Sequence, residues 1–304
     1  MSGLPHAPDR RTGDARVAAV IVTHDTRAEA LACVTSLPGA GADEIVLVDS
    51  GSTDGTADAV REAHPGVMVV ELPNVGYGRG ANAGVAHTSA PYLLVANADT
   101  RYEPGGLRRL ADVLEADPDL GAAGPMVCYP DGRHQASART FPTLGQAAGH
   151  ALFGLWWPDN PWTREYRQRG AGPDQPREVD WLSGCALMLR RTAFIEVGGF
   201  DPGYFMFVED VDLGYRLRQA GWKVRYAPET RVVHTVGVST RHRRAAMVIA
   251  HARSLDRFYG RAYAHGVGRV LRPFVRLGLA GWVALVLAWG AIAGVRGGRS
   301  STGE

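Results

Sequence analysis

Lysine is almost absent from this chain of 304 residues, in which Lys223 is the only lysine among 33 basic side chains. The Walker A loop that cradles nucleotide phosphates requires a Gly-Lys-Ser/Thr sequence. Lys223 stands between Trp222 and Val224 and does not fit that pattern. The sequence therefore excludes the nucleotide triphosphatases that depend on this loop.

Cysteine is equally scarce, and the first residues lack an apolar run. The three cysteines lie far apart and form no CxxC pair. This spacing argues against a cysteine-based zinc site and favours a reducing compartment. Residues 1–15 are mostly polar and contain no apolar run, so we expect a disordered lead-in rather than a signal peptide.

One apolar run of membrane length lies near the C-terminus. Residues 277–295 carry no charge and are bounded by Arg276 and Arg296. A helix of this length, rising 1.5 Å per residue, nearly spans a hydrocarbon core of about 30 Å. We therefore predict a transmembrane or membrane-associated helix at 277–295, followed by a tail at 296–304.

Positive charge is concentrated just before that helix. Residues 241–276 contain nine arginines and one acid, Asp256, a net charge of +8, whereas the whole chain carries +2. Anionic lipid surfaces attract such clusters, and the positive-inside rule places them on the cytoplasmic side. We expect a basic juxtamembrane helical region at 246–276, with the preceding domain on the cytoplasmic face of the cell membrane. A basic stripe of this kind does not resemble a nucleic-acid-binding face, so we expect no nucleic-acid partner.

Short apolar strands alternate with helix-like stretches over residues 16–245. Val17–Thr23 is typical of a buried parallel strand, and Ala28–Leu37 of a helix ended by Pro38-Gly39. The alternation continues to a strand near residues 122–127. It predicts an α/β domain with a Rossmann-like, mostly parallel sheet flanked by helices. Ligands of such sheets bind beyond the carboxyl ends of the strands.

Polar residues follow four of the predicted strands, where that ligand site is expected. They are Thr23–Asp25, Asp49–Thr56, Asn74–Asn82 and Asn97–Asp99. Asp54 suits a helix start, but Asp49 lies directly on an apolar strand, and its carboxylate can accept a hydrogen bond from a nucleobase or ribose. Asn97–Asp99 is typical either of an Asx-turn or of a clip for Mg²⁺, which takes few oxygens from protein and the rest from diphosphate and water.

One segment supports a different function. Gly76–Ala81 matches the GxGxxG/A fingerprint of dinucleotide-binding enzymes. That fingerprint belongs to the first strand–helix turn, whereas here it follows the third predicted strand. A nicotinamide-dependent oxidoreductase without a metal is therefore an alternative, beside a plain glycine-rich turn.

The second half of the chain holds two further candidates. Glu209, Asp210 and Asp212 place three carboxylates within four residues after an aromatic run. Like charges this close raise one another's pKa, as a general base requires, although acids also suit the dipole of a helix start. His234 lies on an apolar strand, as a core histidine or a metal ligand. The aromatic stretch 156–162 suits a lid, an acceptor wall, a packed surface loop or a membrane contact.

Together these motifs resemble those of family 2 inverting glycosyltransferases of GT-A fold, and among them bacterial rhamnosyltransferase-type members. The resemblance covers roughly residues 16–245. It depends on an ordered set of motifs: Val20–Thr23, Val48–Thr56, Asn74-x-Gly76 with Asn82, Asn97-x-Asp99, Arg139–Pro142, Trp181-x-x-Gly184, Glu209–Asp212 and His234.

The resemblance implies a role for each matching residue. Nucleotide and donor binding would fall to Thr23, Asp49, Ser52, Asp54, Arg79, Asn82 and Asn97, with Asp49 on the base. Asp99, with His234 as a further ligand, would hold Mg²⁺ or Mn²⁺ against the diphosphate. Asp210 would be the general base, Glu209 the second choice, and Trp181 and Gly184 would contact the acceptor. The family's metal motif often begins with aspartate where this chain has Asn97, which leaves Asp99 as the main carboxylate.

The activity that the resemblance implies is transfer of a sugar from a nucleotide-diphosphate donor with inversion at the anomeric carbon. The sugar would be a deoxyhexose such as rhamnose, or a hexose. The acceptor would be a hydroxyl of a glycan or of a polyprenyl-diphosphate-linked sugar in cell-envelope polysaccharide synthesis. A non-catalytic sugar-nucleotide-binding protein is the alternative from another class.

Overall fold

The computed structural model of this chain describes residues 16–141, 157, 160–161, 172–235 and 244–297. The lead-in expected at residues 1–15 lies outside these residues, as do most of the aromatic stretch 156–162 and most of the tail.

The strands lie mainly in one large sheet. In chain order they are β1 (Val17–Thr23), β2 (Glu44–Ser50), β3 (Met68–Leu72), β4 (Tyr92–Asn97), β5 (Thr100–Tyr102), β6 (Leu120–Cys128), β7 (His134–Gln135), β8 (Ala138–Arg139), β9 (Arg177–Val179), β10 (Trp181–Leu182), β11 (Ala186–Arg190) and β12 (Lys223–His234). The sheet order is β3-β2-β1-β4-β11-β6-β12-β5, with β7 beside β6 and β9 beside β12, while β8 and β10 pair separately.

Most of the strands in the sheet run in one direction. β1 pairs in parallel with β2 and β4, β2 with β3, and β6 with β12. β11 and β5 run antiparallel to their neighbours. The prediction of a mostly parallel sheet is confirmed.

Helices cover both faces of this sheet. They are α1 (Arg27–Ala40), α2 (Thr56–Ala63), α3 (Tyr77–Val85), α4 (Gly106–Ala116), α5 (Arg191–Glu196) and α6 (Glu209–Gln219), followed by α7 (Arg244–Ala262) and α8 (Val267–Gly297). Because successive side chains of a strand point to opposite faces, Ile21 joins a core cluster with Leu37 of α1, whereas Val20 joins another with Val85 of α3. The sheet is therefore sandwiched between two apolar layers.

Helix α3 approaches the sheet so closely that one position requires glycine. A Cβ on Gly84 would lie 2.4 Å from Cγ1 of Val20 and 2.7 Å from Cγ2 of Val48. Both neighbours are β-branched side chains of buried strands and have little freedom to move. The glycines of α3 thus serve packing, and they bring the start of this helix down onto the sheet edge.

Helix α1 extends three residues beyond its predicted end at Pro38-Gly39. Pro38 lies inside the last turn, and the helix ends at Gly41, which has φ of 101° and donates its N–H to the Leu37 carbonyl. Proline removes only one helix hydrogen bond there. Termination instead depends on a left-handed glycine, which is a common helix end.

The described residues form two compact units. The first includes the sheet up to Pro202 and resumes at Glu209, and the second joins Gly203–Val208 to helices α7 and α8. Within the second unit, Ser254 Oγ donates to the Met206 carbonyl at 2.9 Å, and the rings of Phe207 and His251 lie 5.1 Å apart. The short segment 203–208 is therefore held by helix α7.

Helix α8 matches and extends the apolar run noted in the sequence. Among the described residues, Val267–Trp289 is the one helical segment long and apolar enough to cross a membrane, with a mean hydropathy of 1.7 and most of its side chains exposed. The basic region expected at 246–276 is divided between α7 and α8, which Asp256 joins by ion pairs to Arg272 and Arg276.

Candidate active site

The carboxyl ends of the central strands bring the predicted polar segments to one edge of the sheet. Thr23 and Asp49 are register partners across β1 and β2, and Val22 is the partner of Asn97 on β4. β11 runs antiparallel, so it begins at this same edge, and the Asn97 N–H donates to the Cys185 carbonyl at 3.1 Å. Residues from distant parts of the sequence therefore border one site.

Asp49 is buried at this edge, with 3% of its surface exposed. Its Oδ1 accepts the backbone N–H of Ser52 at 2.7 Å, which closes the turn after β2. Thr23 is also buried, and its hydroxyl lies 2.7 Å from that of Thr26. The turn fixes one carboxylate oxygen of Asp49 and leaves the other available for a base or ribose donor.

Two residues beside this turn, His24 and Asp25, belong to the predicted polar segment Thr23–Asp25 but were given no role of their own. Asp25 has φ of 51°, donates its N–H to Ser52 Oγ at 2.9 Å and accepts the Thr53 N–H at 2.7 Å. His24 Nδ1 lies 2.9 Å from the Ser50 carbonyl. Their position directly after β1 was the available signal. They join the loops that follow β1 and β2 into one wall.

The side chains of three residues predicted to bind the donor form hydrogen bonds with backbone groups. Asp54 accepts the N–H of Arg27 at 3.0 Å and of Thr56 at 3.1 Å, so it caps two helix starts. The Asn82 amide exchanges two hydrogen bonds with the backbone of Phe200, and Arg79 donates to the Pro202 carbonyl at 2.7 Å. In this structure Asp54 and Asn82 therefore serve the fold, and exposed Arg79 borders the loop around residue 200.

The predicted metal residues Asp99 and His234 face each other. His234 Nε2 lies 3.1 Å from Asp99 Oδ1, and both side chains are less than a tenth exposed. The antiparallel pairing of β5 and β12 makes this contact, because Thr100 is the register partner of His234. Asn97 Nδ2 lies 3.5 Å from the same Nε2. The sequence separation of this pair is large, yet the sheet makes them neighbours.

Gln135 completes the surroundings of this pair. Its Oε1 lies 3.0 Å from His234 Nδ1. With Nδ1 as the donor of that hydrogen bond, the Nε2 lone pair is available to a cation shared with Asp99, which is the usual arrangement around a metal-bound histidine. No group of three or more His, Cys, Asp or Glu side chains within the described ranges could hold a metal. Asp99 and His234 fit a cation that takes its remaining oxygens from a diphosphate and water.

Asp210, at the start of α6, is held by backbone donors. The Gly184 N–H donates to its Oδ2 at 2.9 Å, and the Val211 N–H to its Oδ1 at 2.8 Å. Asp210 is partly exposed, whereas Glu209 is only 6% exposed and its Oε2 has no hydrogen-bond partner among the described residues. Two adjacent carboxylates thus have unequal surroundings.

Burial raises the pKa of both carboxyl groups, but the neighbouring groups that add to this effect or act against it differ between them. For Glu209 burial, and then the charge of Asp210, raise the pKa from 4.5 to about 8. For Asp210 burial also raises the pKa, while the Gly184 and Val211 N–H groups and the charge of Arg139 counteract it. Pairs with diverging surroundings divide acid and base roles. Asp210 is therefore the better candidate for an ionised base, and the raised pKa of Glu209 favours its protonated form.

Trp181 and Gly184, predicted to contact the acceptor, lie beside Asp210. Trp181 is 5% exposed, its Nε1 donates to the Thr140 carbonyl at 3.2 Å, and a Cβ on Gly214 of α6 would meet the Trp181 Cβ at 2.7 Å. The Arg139 guanidinium lies 5.2 Å from the Trp181 ring. Sequence reasoning gave Arg139 no site role, and its place in the Arg139–Pro142 motif was the available signal. Trp181 packs mainly against α6, while Gly184 contacts the candidate base.

The fold has close counterparts among solved structures. A mannosyltransferase from Pyrobaculum calidifontis in complex with GDP-Man and Mn²⁺ superposes with a TM-score of 0.58 at 19% identity, covering 93% of this chain and 81% of that one. The structure of GalNAc-T7 with UDP, GalNAc and Mn²⁺ superposes with a TM-score of 0.56 at 18% identity, covering 87% of this chain and 55% of that one. The fold is that of GT-A glycosyltransferases.

Sequence comparison identifies the family. The model of glycosyl transferase family 2 matches residues 18–198, and that of glycosyl transferase family group 2 matches residues 161–298. The N-acetylglucosaminyl-diphospho-decaprenol L-rhamnosyltransferase of Mycobacterium tuberculosis is 41% identical over 222 residues, 69% of this chain and 72% of that protein. Rhamnosyltransferase WbbL of Escherichia coli K12 is 34% identical over 101 residues, 33% of this chain and 35% of that one. This chain belongs to glycosyltransferase family 2 and is similar to its rhamnosyltransferases.

Proposed function

We propose that this chain transfers a deoxyhexose from a nucleotide-diphosphate donor to a lipid-linked diphospho-sugar. The deoxyhexose that we propose is L-rhamnose. The observation that carries the proposal is the fixed carboxylate of Asp210, which two backbone N–H groups hold at the edge of the sheet that also bears Asp49 and Asp99. The similarity to the mycobacterial rhamnosyltransferase supports the sugar and the acceptor class.

The donor would bind across the ends of β1, β2 and β4. The free oxygen of Asp49 accepts a hydrogen bond from the base or ribose, and Thr23 and Ser52 line the same turn. Asp99 and His234 would hold Mg²⁺ or Mn²⁺, which when bound neutralises charge on the leaving diphosphate. Both structural counterparts contain Mn²⁺, which supports this choice of cation.

The transfer step needs one base. Asp210 takes the proton of the acceptor hydroxyl as its oxygen forms a bond to the anomeric carbon, and the bond from that carbon to the nucleoside diphosphate breaks. Because the hydroxyl attacks opposite the leaving diphosphate, the anomeric configuration inverts. A base of this kind is worth about 10²–10⁴-fold in rate.

The lipid-linked acceptor is supported by the second unit of the chain. Most side chains along the apolar length of helix α8 are exposed or half-buried, and Arg269, Arg272 and Arg276 lie in the first ten residues of this helix. Anionic lipids on the cytoplasmic leaflet attract such a region. We therefore place the catalytic domain at the cytoplasmic face of the membrane, where it meets a polyprenyl-diphosphate sugar.

The decisive experiment uses the full chain in detergent or vesicles with a panel of sugar nucleotides. We expect one donor to raise the melting temperature in the presence of Mn²⁺ or Mg²⁺ but not with a chelator. With that donor, we expect transfer to an N-acetylglucosaminyl-diphospho-polyprenol and a product of inverted configuration by NMR. Failure of every donor to bind or react contradicts the function, whereas equal binding with a chelator contradicts only the metal.

The alternatives make different predictions. A sugar-nucleotide-binding protein without catalysis would pass the melting test and give no product. The oxidoreductase hypothesis rested on Gly76–Ala81, but this segment follows β3 and opens the helix that packs on the sheet through Gly84. Membership of glycosyltransferase family 2 replaces that hypothesis.

A further inference from the structure

Asp210 is connected to the side chain of Tyr77 through hydrogen bonds to the backbone of Gly184. The Tyr77 hydroxyl donates to the Gly184 carbonyl at 2.5 Å, and the Gly184 N–H donates to Asp210 Oδ2 at 2.9 Å. A Cβ on Gly184 would lie 3.4 Å from Tyr77 Cε1 and 3.5 Å from Asp210 Cβ. The residue between the phenol and the carboxylate is thus held closely from both sides.

Tyr77 is well suited to act as a permanent donor. It is 8% exposed, and its ring packs edge-on against Phe200 at 5.9 Å. Burial, and then the charge of Glu209, raise the pKa of Tyr77 well above its usual value, so the phenol keeps its proton. The hydroxyl therefore has a fixed position and a fixed role as donor.

We propose that Tyr77 is a positioning residue of the transfer reaction, which acts on the Asp210 base through the Gly184 backbone. A hydrogen bond at the Gly184 carbonyl fixes the plane of the 184–185 peptide group. Because that plane is joined to the 183–184 peptide group at the Gly184 Cα, it also restrains the direction of the Gly184 N–H that faces the carboxylate. Because the Gly184 N–H stabilises the ionised form of Asp210, its correct placement favours the base.

The position of Tyr77 also links two parts of the site. It is the first residue of α3 and follows Gly76, which has φ of 88°, within the segment Asn74–Asn82 assigned to the donor side. The base belongs to α6 and the relay passes through the loop before β11. The inference rests on the proposed function, since it describes the base of that reaction.

The test is Tyr77→Phe in the full chain, with Tyr226→Phe as the matched control. Tyr226 is a buried tyrosine on β12 that donates to the Pro173 carbonyl at 2.8 Å, so its loss removes the same kind of hydrogen bond elsewhere. We expect Tyr77→Phe to lower kcat about tenfold, with donor and acceptor KM within about twofold of the original chain. The acidic limb of the kcat pH profile should move to higher pH, because the ionised base has lost support.

A second variant keeps the test decisive if Tyr77→Phe fails to fold. Site-specific 4-fluorophenylalanine at position 77 fills nearly the space of the hydroxyl but cannot donate, so the acidic limb should again move to higher pH. An unmoved limb in both variants, or a shift of equal size in Tyr226→Phe, overturns the relay while transfer by the unmodified chain stands. Absence of transfer by the unmodified chain contradicts the proposed function instead.

Discussion

Asp210 and Glu209 show how two adjacent carboxylates acquire different roles from their contacts. Asp210 faces two backbone N–H groups, whereas the buried Oε2 of Glu209 meets no described partner. Hydrogen bonds favour the ionised form of a carboxyl group, and burial without them favours the protonated form. The proposed division into a base and a neutral neighbour depends on this local geometry.

Replacement of the base should separate binding from chemistry. We expect Asp210→Asn, which keeps an oxygen for the Gly184 N–H, to lower kcat by about 10²–10⁴-fold and leave donor affinity nearly unchanged. Single-turnover kinetics and donor melting shifts measure the two quantities. Asp58→Asn on the exposed surface of α2 is the control. An unchanged rate in Asp210→Asn would contradict the assignment of the base.

Glu209 should make stability depend on pH. Between its ordinary pKa of 4.5 and its value of about 8 in the folded chain, the folded state keeps the proton that the unfolded state has lost. Stability of the original chain therefore falls as pH rises through this interval.

The glutamine side chain of Glu209→Gln cannot ionise. The melting temperature of this variant should therefore rise relative to that of the original chain as pH increases. The gain between about pH 5 and pH 8.5 should exceed about 2 °C, the shift that 1 kcal/mol gives a domain of this size. Thermal melts across pH measure it, with Glu62→Gln on the exposed surface of α2 as control. A constant difference across pH would show that burial of Glu209 carries no such cost.

Metal binding should depend on the imidazole of His234. We expect His234→Ala to raise the Mn²⁺ concentration needed for stabilisation in the presence of nucleoside diphosphate, by at least about 10–100-fold, the range known for loss of a supporting residue. His87→Ala, an exposed histidine after α3, is the control. Equal Mn²⁺ dependence of the two variants would remove His234 from the metal site.

The sequence predicted which residues end strands but not how their side chains are used. Asp49 lies on β2 and Asp99 directly after β4, and the convergence of these strand ends follows from local patterns. Asp210 lies instead at the start of α6, where the Gly184 N–H holds it. By contrast, the contact from Tyr77 to Gly184 spans 107 positions and that from Asn82 to Phe200 spans 118. Local periodicity contains no information on such partners, so the roles of Tyr77 and Asn82 appeared only in the structure.

At the scale of elements, strands and helices were predictable where a segment consists almost entirely of residues that favour one type of structure. β1 is an unbroken β-branched and alanine run, and all of its residues are buried as expected. Errors arose at ends, as at Pro38, where a glycine beyond the proline decides the helix end. The segment 203–208 was read only as an aromatic run, because its partner helix α7 comes later in the chain.

Helix α7 should affect the site through this segment, since Val208 directly precedes Glu209. Ser254→Ala removes the hydrogen bond to the Met206 carbonyl, a loss of about 1 kcal/mol or about fivefold in local opening. We expect faster hydrogen exchange in residues 203–208 and a kcat lowered by a few-fold. Ser36→Ala in α1, which also removes a bond to a backbone carbonyl, is the control. Unchanged exchange in Ser254→Ala would show that α7 does not hold the segment.

At the scale of the molecule, α8 should determine membrane attachment. Leu285 is 68% exposed in the middle of the apolar segment, so Leu285→Arg leaves packing intact but costs about 2.5–3.5 kcal/mol in a bilayer. We expect this variant to leave the membrane fraction on flotation. Val267→Arg, 74% exposed at the helix start, should remain bound. Equal flotation of both variants would contradict an embedded α8.

The membership of Gly203–Val208 in the C-terminal unit has a consequence for engineering. The backbone leaves the first unit after Pro202, contributes six residues to the second, and returns at Glu209. No single cut separates the two units without dividing one of them. A chimera that receives new C-terminal helices from another transferase must therefore import the hexapeptide as well, or its aromatic rings will meet a foreign helix.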